Sequence, residues 1–233
     1  MKEKTARSSA LKGKHFIVTS GPTKEKLDPV RFITNYSSGK QGHAIAQALA
    51  QLGARVTLIS GCVNLPDPSG VLTVHVESGQ EMLHAVEKSL PADGAIFVAA
   101  VTDWCPESVN DQKIKKEGQK ELVLNLRQTP DILSTIGHSV KRPPLVIGFA
   151  AETENLEQNA QKKLLQKNAD IIIANNVRRD KEGYSILGGD DTKWLVIERE
   201  NCQHWGKMNK KEAAEKLAQL IAARLPSSTA PQP

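Results

Sequence analysis

A chain of 233 residues with 39% hydrophobic side chains can bury one substantial core, and its length falls between what one domain and two domains need. Aromatic residues are only 4% and the aliphatics are mostly Val, Ile, Leu and Ala, which suits a sheet packed between helices and argues against a β-sandwich. The net charge of +5 does not point to a nucleic-acid partner, because Lys2, Lys4, Arg7, Lys12 and Lys14 of the basic start carry much of it.

No window has the apolar length that crosses a bilayer, and Met1 to Lys14 lacks the apolar core of a signal peptide, so a cytoplasmic protein with no membrane partner is expected. The three cysteines, Cys62, Cys105 and Cys202, are widely spaced and lack a CxxC pattern; free thiols follow. The six histidines never stand at metal-ligand spacing on one helix, so a metal caged by protein side chains is not expected.

In chain order, His15 to Ser20 reads as a buried first strand ended by Gly21-Pro22. A polar stretch, Thr23 to Tyr36, leads to Ser37-Ser38-Gly39-Lys40-Gln41-Gly42 and then to a helix of Ala and Leu spacing that stops at Gly53. Ala54 to Ser60 and Val71 to Val76 are strands, and Ser78 caps a helix running to Ser89. Gly94 to Val101 is an unbroken apolar run, as a central parallel strand should be. Val101 to Pro130 is too long and too polar for a tight crossover and is expected to form a flap outside the sheet. Asp131 to Gly137 is a short helix, Pro144 to Ala151 a strand, Asn155 to Lys167 a helix, Asp170 to Asn175 a strand and Lys210 to Leu225 a closing helix. Tyr184 to Ile197 suggests a hairpin around Gly188-Gly189. The fold class is therefore α/β: a Rossmann-like, mostly parallel sheet flanked by helices, with an extra arm. One domain over residues 13–225 is expected between disordered tails, 1–12 and 226–233.

Three places could carry chemistry. Gly39 and Gly42, just where a helix begins, would let backbone amides approach a phosphate at the positive end of the helix; alternatively, the pair serves only close helix–strand packing. The loop lacks the first glycine of a dinucleotide fingerprint, and the second strand ends in Ser60-Gly61 with no acid for a ribose, which counts against a nicotinamide-dependent oxidoreductase. Tyr36 and Lys40 make a Y-x-x-x-K that is read as coincidence. Asp103, beyond the most buried strand, should look into the same crevice, either to orient a hydroxyl or cation or simply to cap a turn. The following Lys113-Ile114-Lys115-Lys116 reads by itself as an edge strand blunted by lysines. Lys163 and Lys167 stand one helical turn apart, so they repel unless an anion or acid lies between them; polyphosphate binding and a solvated face both remain open.

Together VTSGPTKEKLDPVRFITNYSSGKQG, AAVTDW, KIKK, TPDIL, GFAAET and KNADIIIANN, in this order, resemble bacterial phosphopantothenoylcysteine synthetase over about residues 13 to 225. The resemblance implies a single nucleotide-binding ligase domain that joins 4′-phosphopantothenate to L-cysteine with CTP and Mg²⁺. It implies an acyl cytidylate on the way, a homodimer sharing its sites through the KIKK arm, and a flavin-dependent decarboxylase as fused partner in many members. It carries Asn35 over as the group holding the activated acyl, and Gly21, Ser37, Gly39 and Gly42 as phosphate contacts. Lys113 is carried over as a triphosphate clamp, and Asp103 as a contact to ligand or to magnesium. Ala99 and Ala100 offer backbone groups; Arg127, Gln128, Thr129, Pro130, Phe149, Lys163 and Lys167 match nucleotide contacts; Arg31 steers the anionic substrate. Thr129 and Trp104 depart from the residues relatives commonly carry, and the eukaryotic branch uses ATP on the same scaffold.

Overall fold

The computed structural model describes residues 9–116, 118, 120–177 and 189–225. The chain runs β1 (His15–Ser20), β2 (Lys24–Asp28), β3 (Arg31–Thr34), α1 (Lys40–Gln51), β4 (Arg55–Ser60), β5 (Leu72–His75), α2 (Gly79–Lys88), β6 (Gly94–Phe97), β7 (Trp104–Pro106), β8 (Leu126–Gln128), α3 (Ile132–Gly137), β9 (Leu145–Glu152), α4 (Leu156–Gln166), β10 (Ile171–Asn176), β11 (Asp191–Ile197), β12 (Cys202–Asn209) and α5 (Lys210–Arg224). Caps match local sequence: Ser78 accepts the Glu81 amide at the start of α2, Asp131 that of Ser134 at α3, and Asn209 and Glu212 form a reciprocal capping box at α5.

One eight-stranded sheet holds the order β12-β11-β10-β9-β6-β1-β4-β5. Counting only its parallel strands in chain order, β5-β4-β1-β6-β9-β10 is 3-2-1-4-5-6, the doubly wound dinucleotide-fold order, with the switch point between β1 and β6. Alternate residues of the same strands face opposite ways. Phe16, Val18, Leu58, Ile147 and Ile173 pack against α1 and α5, whereas Ile17, Ile59, Val146 and Ile172 pack against α2, α3 and α4. The parallel strands are therefore apolar on both faces, which is why β1 is buried throughout.

Four expectations change. The run from Gly94 leaves the sheet at Phe97, because Thr19 captures the next amides: its Oγ1 accepts from Val98 N at 3.2 Å and Ala99 N at 3.3 Å. Thr23 to Tyr36 is no plain loop but the hairpin β2–β3, turned by Asp28, whose carboxylate accepts the Val30 and Arg31 amides at 2.8 Å. Residues 184–188 of the expected hairpin lie outside the described residues; its second half, Asp191–Ile197, is a strand that pairs antiparallel with both β10 and β12. The N-terminal tail ends earlier than residue 12: Leu11 is 0% exposed in the α1/α5 core, and its amide donates to Leu52 O at 2.9 Å. The tail expected over 226–233 lies outside the described residues.

The expected flap is a two-stranded antiparallel arm, β7–β8, outside the main sheet. It is tied back to the β2–β3 hairpin by Asn110 N to Leu27 O at 3.0 Å and Ile114 N to the Asp28 carboxylate at 3.1 Å.

Leu11→Ala should lower unfolding free energy by about 2–5 kcal/mol, the range for a fully buried leucine, measured as a shift in urea midpoint at constant m. An unchanged midpoint would show that residues before His15 contribute nothing to the core.

Candidate active site

The crevice outside the carboxyl ends of β1 and β6 opens into a cavity of about 800 Å³. Its floor is the loop before α1. Gly39 adopts φ 72°, a left-handed conformation that suits glycine, and α1 starts at the next residue with its free amides facing the cavity. Gly42 settles one of the two readings of the glycine pair: a Cβ there would stand 2.5 Å from Ser20, so Gly42 lets α1 lie directly on the end of β1. Packing and anion access are thus one arrangement, since the close approach is what brings the helix N-terminus to the strand edge.

Ser20 Oγ donates to Gly39 O at 2.9 Å, and His43 Nδ1 lies 3.1 Å from the same carbonyl and 3.0 Å from Ser20 Oγ. A carbonyl only accepts, so Nδ1 carries the proton and His43 Nε2 is left bare, buried without a partner among the described residues. Burial pushes the His43 imidazole below its ordinary value, and the bond to Gly39 O offsets this only in part.

The facing wall is the chain leaving β6. Ala100 N donates to Gly21 O at 2.9 Å, Thr102 N to Thr23 Oγ1 at 3.2 Å, and Asn35 Nδ2 to Val101 O at 3.0 Å. These bonds place Asn35, Asp103, Ala99 and Ala100 around one space. On the third side, Lys163 and Lys167 project from α4. The acid between them is Asp131, whose Oδ2 lies 2.6 Å from Lys167 Nζ. Burial alone would raise the Asp131 carboxyl, but the Lys167 ammonium and the Ser134 amide hold it below the usual carboxylate range. Burial pushes the Lys163 amine down, against the pull of Glu152 and Asp131. Phe149 closes this side, edge-on to Trp194 with ring centroids 5.4 Å apart.

Of the residues singled out in the sequence, Gly21, Asn35, Ser37, Gly39, Gly42, Ala99, Ala100, Asp103, Gln128, Thr129, Pro130, Phe149, Lys163 and Lys167 all line this cavity. Three do not. Arg127 pairs with Cys105 on the arm and lines only a second cavity of about 530 Å³, which Gln128, Thr129 and Pro130 border as well as the first. Arg31 is held by Asp28 at 3.5 Å and donates to Ile114 O at 2.8 Å. Lys113, beside Ile114, is exposed outside the cavity. Sequence reasoning missed Asn175 and Lys210, which also line it. Asn175 is the penultimate residue of β10, with its side-chain oxygen buried and unpaired among the described residues, and its place near the carboxyl end of a parallel strand was the available signal. Lys40, dismissed with Tyr36, lines the cavity too.

Comparison with known proteins agrees with this geometry. The DNA/pantothenate metabolism flavoprotein C-terminal domain family matches residues 11–225. The chain belongs to that family. It is 47% identical over 178 residues to the coenzyme A biosynthesis bifunctional protein CoaBC of Vibrio cholerae, covering 75% of this chain and 44% of that protein. The corresponding protein of Bacillus subtilis is 45% identical over 192 residues, covering 82% and 46%; the chain thus spans about half the length of these relatives. Among solved structures, the C-terminal domain of a CoaBC protein superposes with a TM-score of 0.78 at 40% identity, covering 93% of this chain and 98% of that one. The DNA/pantothenate metabolism flavoprotein of Streptococcus pneumoniae follows at 0.74 and 27%, covering 91% and 100%. The family resembled by the ordered motifs is the family found, and the fold is that of its C-terminal domain.

The buried imidazole gives a pH prediction. The folded state holds His43 neutral with a depressed pKa, so its stabilisation is complete above the unfolded value near 6.5 and is lost as pH falls through and below it towards the folded value. His15, also lowered chiefly by burial, acts in the same window. Urea midpoints should fall between about pH 7.5 and about 5.5, and His43→Gln should flatten that dependence; an equal slope in wild type and variant would show that His43 does not couple the loop to pH.

Proposed function

We propose that this cavity is the active site of a phosphopantothenate–cysteine ligase domain that consumes CTP. The observation supporting it most directly is the convergence on one switch-point crevice of a helix N-terminus, a lysine with no ion pair among the described residues (Lys163), an exposed acid (Asp103) and Asn35, in a member of a family whose relatives are coenzyme A biosynthesis proteins. In the first half-reaction the carboxylate of 4′-phosphopantothenate attacks the α-phosphorus of CTP and pyrophosphate leaves. In the second, the amine of L-cysteine attacks the acyl carbonyl of the cytidylate and CMP leaves. A carboxylate is a poor acyl donor and a nucleotide a good leaving group, so the protein's work is positioning and neutralising phosphate charge.

Asn35 is the acyl holder in this reading, with its amide already directed at the strand-end loop. Gly21, Ser37, Gly39 and the α1 amides receive phosphate, and Lys163 and Lys167 supply positive charge. Among the described residues no three His, Cys, Asp or Glu side chains cluster as a metal cage. Magnesium carried mainly by phosphate oxygens and water, with Asp103 as the single protein carboxylate, fits these donors; bound there, it would offset phosphate charge. Ser60-Gly61 at the end of β4 supplies no ribose acid, which disfavours a nicotinamide cofactor. The choice of CTP over ATP rests on the resemblance to bacterial members.

A homodimer belongs to the same reading. Val30, Phe32, Val109, Val123 and Leu126 are exposed on the β2–β3 hairpin and the arm, and Arg31 and Lys113 stand there outside their own cavity, where a second copy could receive them. A flavin-dependent decarboxylase partner accords with the bifunctional relatives being about twice as long.

Incubation with phosphopantothenate, CTP and cysteine should release pyrophosphate and CMP, with ATP a weaker substitute; release no greater than without enzyme overturns the reading. Asn35→Ala should slow the second half-reaction more than the first, so that quenched samples accumulate acyl cytidylate. Unaltered turnover would remove Asn35 from the mechanism.

A further inference from the structure

Two lysines on the α1/α5 side of the cavity have no place in the assignments above. Lys40 is the first residue of α1 and Lys210 the first residue of α5, and both line the cavity. A lysine in the first turn of a helix opposes the helix dipole, and α1 has no acid in that turn to compensate. The two ammonium groups are close enough that the charge of Lys40 lowers the affinity of Lys210 for its proton, adding to the larger effect of burial. Sequence and helix physics therefore place two like charges and a helix N-terminus together, a local conflict that marks a site built for something else.

What stands between them is Asp190. Its carboxylate lies 2.7 Å from Lys40 Nζ, and its side chain is 82% exposed. The backbone beside it is held by Lys210: Lys210 N donates to Asp190 O at 2.8 Å, and Lys210 Nζ donates to Gly189 O. Gln41 Nε2 joins the two helices by donating to Lys210 O at 3.2 Å. An ion pair this exposed is weak because water screens it and solvates both partners, so giving the Asp190 carboxylate back to water costs little. A polyphosphate brings several charged oxygens that can bridge both ammonium groups and the α1 amides at once, each bond charge-assisted.

We propose that Lys40 and Lys210 form the subsite for the pyrophosphate portion of the nucleotide, and that Asp190 is an internal stand-in that occupies Lys40 when this anion is absent. This rests on the reading that the site consumes a nucleoside triphosphate. Asp190 competes for the same cation, so it weakens retention of released pyrophosphate and discriminates against a single phosphate, which cannot bridge both lysines.

Calorimetric titration of the full chain with inorganic pyrophosphate and Mg²⁺, without nucleotide, pantothenate or cysteine, tests the subsite apart from ligation. Lys40→Gln and Lys210→Gln should each weaken pyrophosphate binding by about tenfold or more, Lys40→Arg should retain most of it, and Asp190→Asn should tighten it severalfold and lower the KM for CTP. Orthophosphate binding should change little across the set. Thermal melts identify any variant that fails to fold, and the two surface variants Lys40→Arg and Asp190→Asn keep the test decisive in that case. Pyrophosphate binding that is absent, or that ignores both lysine substitutions, overturns the subsite; Asp190→Asn binding no tighter than wild type overturns the stand-in. A chain that binds pyrophosphate in this pattern but ligates nothing would refute the ligase reading and leave the subsite standing, and the reverse result would do the opposite.

Discussion

Helix α1 can reach the crevice at the sheet's switch point only because two backbones meet with no side chain on Gly39 or Gly42 between them. At Gly42 any Cβ would fall 2.5 Å from both Cβ and Oγ of Ser20, and at Gly39 one would fall 2.7 Å from Val63 Cγ1. Removing those carbons lets the helix N-terminus sit directly beyond the end of β1, the central strand at the topological switch. Ser20 and His43 then satisfy the Gly39 carbonyl, and the Gly39 amide donates to Ser37 Oγ at 3.3 Å, leaving the first-turn amides of α1 without intrahelical acceptors. An anion-binding floor and a tightly packed core follow from one steric condition, and a larger residue at Gly42 would disturb both together.

The opposite wall depends on a buried acid. Glu25, on β2, is 6% exposed, and its carboxylate accepts Gly79 N at 2.9 Å and Thr102 Oγ1 at 3.3 Å. It lies at the N-terminus of α2, where partial positive charge favours a carboxylate. Through Thr102, which also accepts from Thr129 Oγ1 at its carbonyl, the hairpin, α2 and the root of the arm are joined to the strand-end loop that carries Asp103. The cavity is therefore framed by two kinds of contact: glycine packing on the α1 side and a satisfied polar network on the β6 side, each fixing backbone groups.

This division explains what could be read from the sequence. The parallel strands and their helices were legible because burial on both faces demands continuous apolar runs, and the caps Ser78 and Asp131 are local. The β2–β3 hairpin was not, because its alternation is written in Lys24, Glu25, Lys26 and Asp28, residues buried or exposed by hydrogen bonds to distant elements. β12 was missed for a related reason: of Cys202–Asn209 only Trp205 is buried, an edge strand with little apolar signal. The true end of β6 was hidden by Val98 to Val101, which remain apolar after Thr19 has drawn the chain away. Most of the candidate site was legible because motifs name residues at strand ends. Arg127 lies on the neighbouring cavity, a placement that a motif could not reveal because it fixes position along the chain and not the face. Lys210 was invisible because only the fold brings the start of α5 beside the start of α1.

The cavity's lysines differ in how firmly their partners are anchored. Lys167 meets Asp131, and Asp131 also caps α3, so its carboxylate is bound to Ser134 N at 2.8 Å and cannot withdraw without exposing a helix end. That ion pair is part of the scaffold, and Lys167 can meet a ligand only with its remaining donors. Lys40 meets Asp190, whose side chain caps no helix among the described residues and is largely in water; that pair can exchange its anion at little cost to the fold. Lys163, between these extremes, has no ion pair within 4 Å among the described residues, and burial already disfavours its charge. An incoming phosphate would stabilise that charge without displacing a neighbour. Lys167, Lys40 and Lys163 thus form a graded set within the cavity's four lysines, and for the two paired ones the difference follows from whether the carboxylate also caps a helix.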